Sequence, residues 1–150
     1  MSIELEKRIS VLEDKLALQE LTHGYLAAAD RKDSNAMASY FTPTGSLTSI
    51  MPNQTIILET RDKIANGFSQ ILRPITVAYH MAGQLATTVS GDTAEGISYC
   101  FVTLAVSEND EQYVRKIWAV YKDEYVKSNA NWLISKRVAT VAWEEREAIK

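Results

Sequence analysis

Cys100 is the only cysteine in this chain of 150 residues, so no disulfide can form within it. It falls in an apolar, β-like run and reads as a small buried hydrophobe. No apolar stretch approaches the roughly 20 residues that a membrane-spanning helix needs. Residues Met1–Arg8 are charged and lack the continuous apolar segment of a secretory leader, which leaves a cytoplasmic location as the default expectation. A basic cluster is missing too. The 16 Lys and Arg are intermixed with 19 Asp and Glu, for a net charge of −3, so neither nucleic acid nor an anionic membrane is an expected partner. There are only two histidines, with no Cys/His cluster and no paired carboxylates at ligand spacing. No metal site is expected.

What is present suits one soluble domain over residues 1–150, long enough to bury about two-thirds of its unfolded surface. The first third reads as helix. Leu5, Ile9, Leu12 and Leu16 recur at helical spacing, Leu18, Leu21 and Tyr25 widen the apolar face, and Asp30 closes the run. The charged half from Glu4 to Lys15 could lie over the surface or against a partner. Asp33 is expected to cap or brace the following loop, and Ala36–Phe41 to form a short helix that stops before Pro43. Ser46–Ile50 and Gln54–Glu59 read as short strands around a Met51-Pro-Asn turn. Thr60 is a candidate N-cap for a helix over Arg61–Leu72 that ends before Pro74.

The second half is β-like throughout: Ile75–Val89, Thr93–Val106, Gln112–Lys127 and Trp132–Trp143. Hairpin turns separate these runs at Gly91-Asp92, Glu108–Asp110 and Ser128–Asn131. Helices followed by a meander define an α+β chain. In the first long strand, alternation puts Ile75, Val77, Tyr79, Met81, Leu85 and Val89 on one face. Ala78, His80, Ala82 and Gln84 share the other, a small mixed face suited to a cavity wall. Strands that are apolar on both faces ask for a second covering layer. A homodimer or larger homo-oligomer is therefore expected.

The order of elements is similar to that of the NTF2-like fold, a cone of N-terminal helices packed on a strongly curved antiparallel sheet that encloses a pocket. The local wording resembles the SnoaL-like, scytalone dehydratase-like branch. It includes Tyr25, Asp30 and Asp33 at the end of the first helix, Tyr40-Phe41 and Gly45. It continues with His80 and Gln84, the Gly91-Asp92 turn, and a closing Trp132-Leu-Ile-Ser-Lys-Arg137. The resemblance spans about Leu16 to Val141. Enzymes of the branch include scytalone dehydratase, hexachlorocyclohexane dehydrochlorinase and polyketide cyclases, most of them working without cofactor or metal on a small molecule held between helices and sheet.

The resemblance implies a catalytic pair, Asp30 at the helix end and His80 on the first long strand. A histidine tuned by a carboxylate can transfer protons near neutral pH. Companion residues diverge. The dehydratase's second histidine falls on Leu104 and its asparagine on Tyr121, while the dehydrochlorinase's lysine falls on Tyr25. Its closing-strand arginine falls on Lys136. Arg137 lies one place beyond and faces the other way if the strand is regular.

Tyr25, Tyr99 and Tyr121 are candidate donors to a substrate oxygen, and whichever of Lys136 and Arg137 faces inward could hold an anion. His23 reads as packed or partner-facing, and Trp118, Trp132 and Trp143 as core or interface aromatics. The expected function is a cofactor-independent lyase, cyclase or isomerase. Two alternatives stand beside it. One is a non-catalytic ligand-binding or assembly module, such as the small subunit of an oxygenase. The other is an enzyme whose base is an aspartate on the sheet, with Asp123, beside Glu124, as the candidate.

Overall fold

A computed structural model describes residues 2–149 of the chain, so the ends of the expected 1–150 domain, Met1 and Lys150, lie outside the described residues. Helix α1 runs Ile3–Asp30, α2 Ser34–Ser39 and α3 Arg61–Leu72. The strands are β1 Phe41–Met51, β2 Gln54–Glu59, β3 Ile75–Ser90, β4 Thr93–Glu108, β5 Glu111–Ser128 and β6 Asn131–Ala148. Capping chemistry sets several starts. Ser2 accepts from the Leu5 amide, Asp33 from Ala36 at 2.9 Å, and Thr60 from Lys63 at 3.4 Å. The short helix lies earlier than expected, because Asp33 caps it directly and Phe41 already belongs to β1.

All six strands form one sheet in the order β2-β1-β6-β5-β4-β3. Every pairing is antiparallel except β1 with β6, which run parallel. The sheet is thus mixed rather than purely antiparallel. It is curved and unclosed, with helices on its inner face, the α+β cone of the NTF2-like fold. Irregular pairing supplies the bending. The ladder shifts between Ala82 and Leu85 on β3, between Trp118 and Ala119 on β5, and between Glu124 and Tyr125 on β5. Each extra residue turns the chain and exchanges the faces of the residues beyond it.

The core lies between the inner face and the helices. Leu18, Leu21, Tyr25 and Leu26 of α1, Met37 of α2 and Ile64 and Phe68 of α3 meet Ala78, Cys100, Val102, Leu104, Ile117 and Ile134 of the sheet, all buried. Helix α1 lies along β3, while α3 packs on α2 and β1. The first three turns of α1 are largely exposed up to Asp14. Asp14 itself is buried. Its Oδ1 accepts from Trp132 Nε1 and from Lys127 Nζ, both at 2.8 Å, and this ties α1 to the far side of the sheet.

Candidate functional site

Asp30 is the last residue of α1, and His80 projects from the inner face of β3. A single carboxylate oxygen joins them. Asp30 Oδ1 accepts the His80 backbone N–H at 2.8 Å and lies 2.7 Å from His80 Nδ1. A carboxylate only accepts, so Nδ1 carries the ring proton and Nε2 keeps its lone pair. The backbone bond fixes the distance between strand and helix end, and the ring bond fixes the tautomer. The His80 side chain is 11% exposed. Burial holds its pKa below the ordinary value of 6.5, and the hydrogen bond and charge of Asp30 oppose that shift without cancelling it. The neutral ring with a free Nε2 is therefore the resting form at neutral pH.

A second polar cluster occupies the same inner face. Arg137 on β6 pairs with Asp123 on β5 through two parallel bonds, Nε to Oδ1 at 2.8 Å and Nη2 to Oδ2 at 2.9 Å. Tyr125 donates to Asp123 Oδ2 at 3.0 Å. Both side chains of the pair are 1% exposed. The guanidinium lies between two rings, 4.4 Å from the centroids of both Tyr25 and Tyr121. Tyr25 is in turn met edge-on by Tyr40, Phe41, Phe68 and Tyr121. Burial works against the Arg137 charge, but Asp123 outweighs it and holds the guanidinium firmly protonated. The phenols of Tyr25 and Tyr121 are pushed up by burial. Cys100, between the two clusters, is pushed up to about 11 for the same reason. It is a buried thiol, as its apolar strand suggested. Arg137 Nη1 and Ser98 Oγ are buried with no hydrogen-bond partner among the described residues.

The remaining residues singled out in the sequence fall on both faces of the sheet and on α1. Tyr99 is 49% exposed on the outer face of the sheet, so it is not a candidate for contacts with a molecule held inside. Lys136 also faces outward. It lines a groove of about 500 Å3 with Glu95, Ile97, Lys122 and Glu124, to which neither His80 nor Asp30 contributes. Arg137 takes the inward place because Ser135 is the extra residue opposite the Glu124–Tyr125 step. Beyond the β3 shift, Leu85 and Val89 leave the face of Val77, Tyr79 and Met81 and join that of His80. His23 is exposed. Trp132 is buried, whereas Trp118 and Trp143 stand on the outer face.

Asp123 has both oxygens engaged by Arg137 and Tyr125 and is not free to act as a base. Sequence reasoning missed its pairing with Arg137 and the place of Tyr125. The signal was there in part: Tyr121, Asp123 and Tyr125 alternate along β5 and so share a face. The Asp14 clamp spans 118 positions and left no local mark. Among the described residues, no group of three or more His, Cys, Asp or Glu side chains is placed to hold a metal ion, and no helix is long and apolar enough to cross a membrane.

Curved sheet, covering helices and an inward polar face define an NTF2-like domain. The SnoaL-like domain model matches residues 10–138, and the chain belongs to that family. One relative is the uncharacterized protein Rv2910c of Mycobacterium tuberculosis (strain ATCC 25618 / H37Rv), 28% identical over 145 residues that cover 91% of each chain. Among solved structures, a hexachlorocyclohexane dehydrochlorinase (LinA) Type2 superposes with a TM-score of 0.80 at 22% identity, covering 94% of this chain and 93% of that one. A scytalone dehydratase-like protein of Novosphingobium aromaticivorans DSM 12444 gives 0.79 at 16% identity, covering 95% and 93%. At these identities the solved structures bear on the fold alone.

Proposed function

We propose that this protein is a cofactor-independent lyase, cyclase or isomerase that moves a proton on a small, largely apolar oxygenated molecule of polyketide-, aromatic- or terpenoid-like frame. The observation that carries this reading is the 2.7 Å contact between Asp30 Oδ1 and His80 Nδ1. It leaves Nε2 as the base. Nε2 takes a proton from a carbon made acidic by a neighbouring carbonyl, and the electron pair moves onto the carbonyl oxygen. Asp30, its side chain 33% exposed, stabilises the imidazolium that forms.

Arg137, with its unpartnered Nη1, and the hydroxyls of Tyr25 and Tyr121 are the donors assigned to the developing oxyanion. Loss of a β-leaving group then gives elimination, return of the proton elsewhere gives isomerisation, and attack on an internal carbonyl gives cyclisation. Asp123 already neutralises Arg137, so the site favours a neutral carbonyl that gains charge during reaction over a substrate that arrives as an anion. The family supports the class of chemistry: its structural neighbours include proteins named for a dehydrochlorinase and a scytalone dehydratase.

The test follows deuterium uptake from D2O into a panel of cyclic ketones, enones and aryl ketones by NMR, which needs no knowledge of the leaving group. His80→Ala and Asp30→Asn should each slow exchange at least about a hundredfold with the fold intact. Exchange near wild-type rates in both variants refutes the mechanism.

A binding or assembly role has one observation in its favour. Tyr25, Tyr121 and Arg137 are themselves buried and fill much of the interior beyond His80. Under that reading, panel members bind without exchanging and His80→Ala alters affinity alone.

A further inference from the structure

The inner face carries a third group of charges, towards the end of β5 away from Asp123. Arg115 on β5 stands opposite Arg146 on β6, and Glu144 stands opposite Ile117 one step further in. Directly opposed residues point to the same face, so all three share the face of Ile117 and Leu104. Val102 and Ile117, both buried, complete a row that runs from His80 to Glu144. Three strand spacings, roughly 14 Å along the sheet, therefore separate this group from His80. With the turn Met51–Gln54, the three residues line a recess of about 440 Å3, a volume typical of small-molecule sites.

The arginines are paired differently from Arg137. Arg115 donates through Nε to Glu144 Oε1 at 2.7 Å, and Arg146 reaches the same oxygen through Nε at 3.5 Å. Among the described residues their four Nη groups make no hydrogen bond to protein, whereas Arg137 meets both oxygens of Asp123 with Nε and Nη2. Two-point pairing is the strong form of such a contact, and here half of each fork is left open. Arg146 stacks on Tyr113, 4.9 Å from the ring centroid, which orients a side chain that is 60% exposed. The Arg115 hydrogen bond holds Glu144 below the ordinary carboxylate pKa, so Glu144 stays ionised. Two cations then face one anion. The next carboxylates are turned to the outer face, where Glu145 accepts from Trp143 at 3.1 Å and Glu147 pairs with Lys116 at 3.8 Å.

We infer that this recess binds the carboxylate of a small organic acid. A planar guanidinium edge matches a carboxylate at two points. A monoanion cancels the one uncompensated charge, whereas a dianion leaves an excess beside Glu144. Met51 and Pro52 make one wall apolar, which suits an acid with a hydrocarbon or aryl body over a bare inorganic ion.

Titration of 15N-labelled protein with sodium benzoate at low ionic strength, read at the assigned arginine Nε–H signals by NMR, tests this. The Arg115 and Arg146 signals should shift together and saturate with a Kd of about 1 mM or tighter. Benzamide, which is uncharged, and sulfate, a dianion, should each bind at least about tenfold more weakly. Arg146→Gln should weaken benzoate binding at least about tenfold, while thermal unfolding by circular dichroism stays cooperative. Glu144→Gln removes the competing carboxylate and should tighten binding about threefold or more. His80→Ala should leave it unchanged. Four results overturn the inference: no saturation by about 20 mM, benzamide or sulfate binding as well as benzoate, shifts at Arg137 in place of Arg115 and Arg146, or weaker binding in Glu144→Gln. Because the measurement reads binding at a site apart from His80, failure here leaves the proton-transfer reading intact, and failure of that reading leaves this one intact.

Discussion

Removing the Asp123 carboxylate strips three hydrogen bonds from the interior at once, two from Arg137 and one from Tyr125. It leaves a guanidinium that is 1% exposed with no counter-charge. The aromatic faces of Tyr25 and Tyr121 remain. A buried cation–π contact contributes about 2 kcal/mol, far short of the several kcal/mol needed to desolvate an ion. Asp123→Ala should therefore destabilise the protein by about 3–5 kcal/mol. At about 2–4 °C per kcal/mol for a chain of this length, the melting temperature falls by roughly 10 °C. Urea titration followed by circular dichroism reads the same quantity as a lower midpoint at unchanged slope.

The double variant Asp123→Leu/Arg137→Met is the stricter comparison. With neither charge present nothing is left unpaired, and stability should return to within about 2 kcal/mol of wild type. A loss below about 1 kcal/mol for Asp123→Ala would refute the account of a dry, mutually dependent pair. So would a double variant as unstable as the sum of the two single losses. The double variant also separates roles. If it folds and no longer supports proton exchange, Arg137 acts on the reacting oxygen as well as on the core.

Three other substitutions probe the same face. His80 is held below its ordinary pKa of 6.5 chiefly by burial, so the acid limb of kcat/KM should lie below pH 6.5. Asp30→Asn removes the charge that opposes this shift, so the limb should move to still lower pH as turnover falls. A limb that moves upward contradicts the pairing. The same shift makes stability rise with pH, because the unfolded chain binds the proton more readily. That contribution is complete above about pH 6.5 and is lost as pH falls through the folded value, a dependence His80→Gln should flatten in urea titrations. Gly96→Ala would place a methyl 3.0 Å from the Tyr125 ring and 3.1 Å from its hydroxyl. Tyr125 must then shift away from Asp123, and a loss of about 1–3 kcal/mol is expected by thermal unfolding. An unchanged melting temperature would show that Tyr125 has room to move.

Element order, caps and hairpins were legible in this sequence because each depends on a few neighbouring residues. Thr60 and Asp33 start their helices through side-chain oxygens three positions from the amides they accept. The Asp30–His80 juxtaposition was legible only through resemblance, since the two residues are 50 positions apart. Side-chain direction was legible only up to the first irregular step in each ladder. Strict alternation placed His80 on a small-residue face, and it lies there. The same alternation misplaced Leu85, three residues past Ala82, where the pairing shifts. Alternation left open which of Lys136 and Arg137 faces inward, and one extra residue at Ser135 turns Arg137 to the interior and Lys136 to the surface. A period of exactly two cannot register an insertion of one. The parallel pairing of β1 with β6 brings together segments about ninety positions apart. No local pattern announces such a contact.

The two polar clusters share a property that argues for use rather than support. Asp30 ends a 28-residue helix at its negative pole with no basic residue in the last turn, an electrostatically poor position for a carboxylate. The Arg137–Asp123 pair sits where well-packed apolar side chains would commonly give equal or greater stability. Each cluster runs against what folding alone would select, and both lie on the inner face of the sheet. Departures from local consistency gather where a protein binds or reacts. Under the proposed mechanism one cluster offers an acceptor for a proton and the other a donor to an anion, the two halves of a carbon acid's ionisation. Stability should therefore survive, or rise, when Asp123 and Arg137 are both replaced by apolar residues of matched volume, while proton exchange disappears. A double variant that is both less stable and still active would show that this cluster serves the fold.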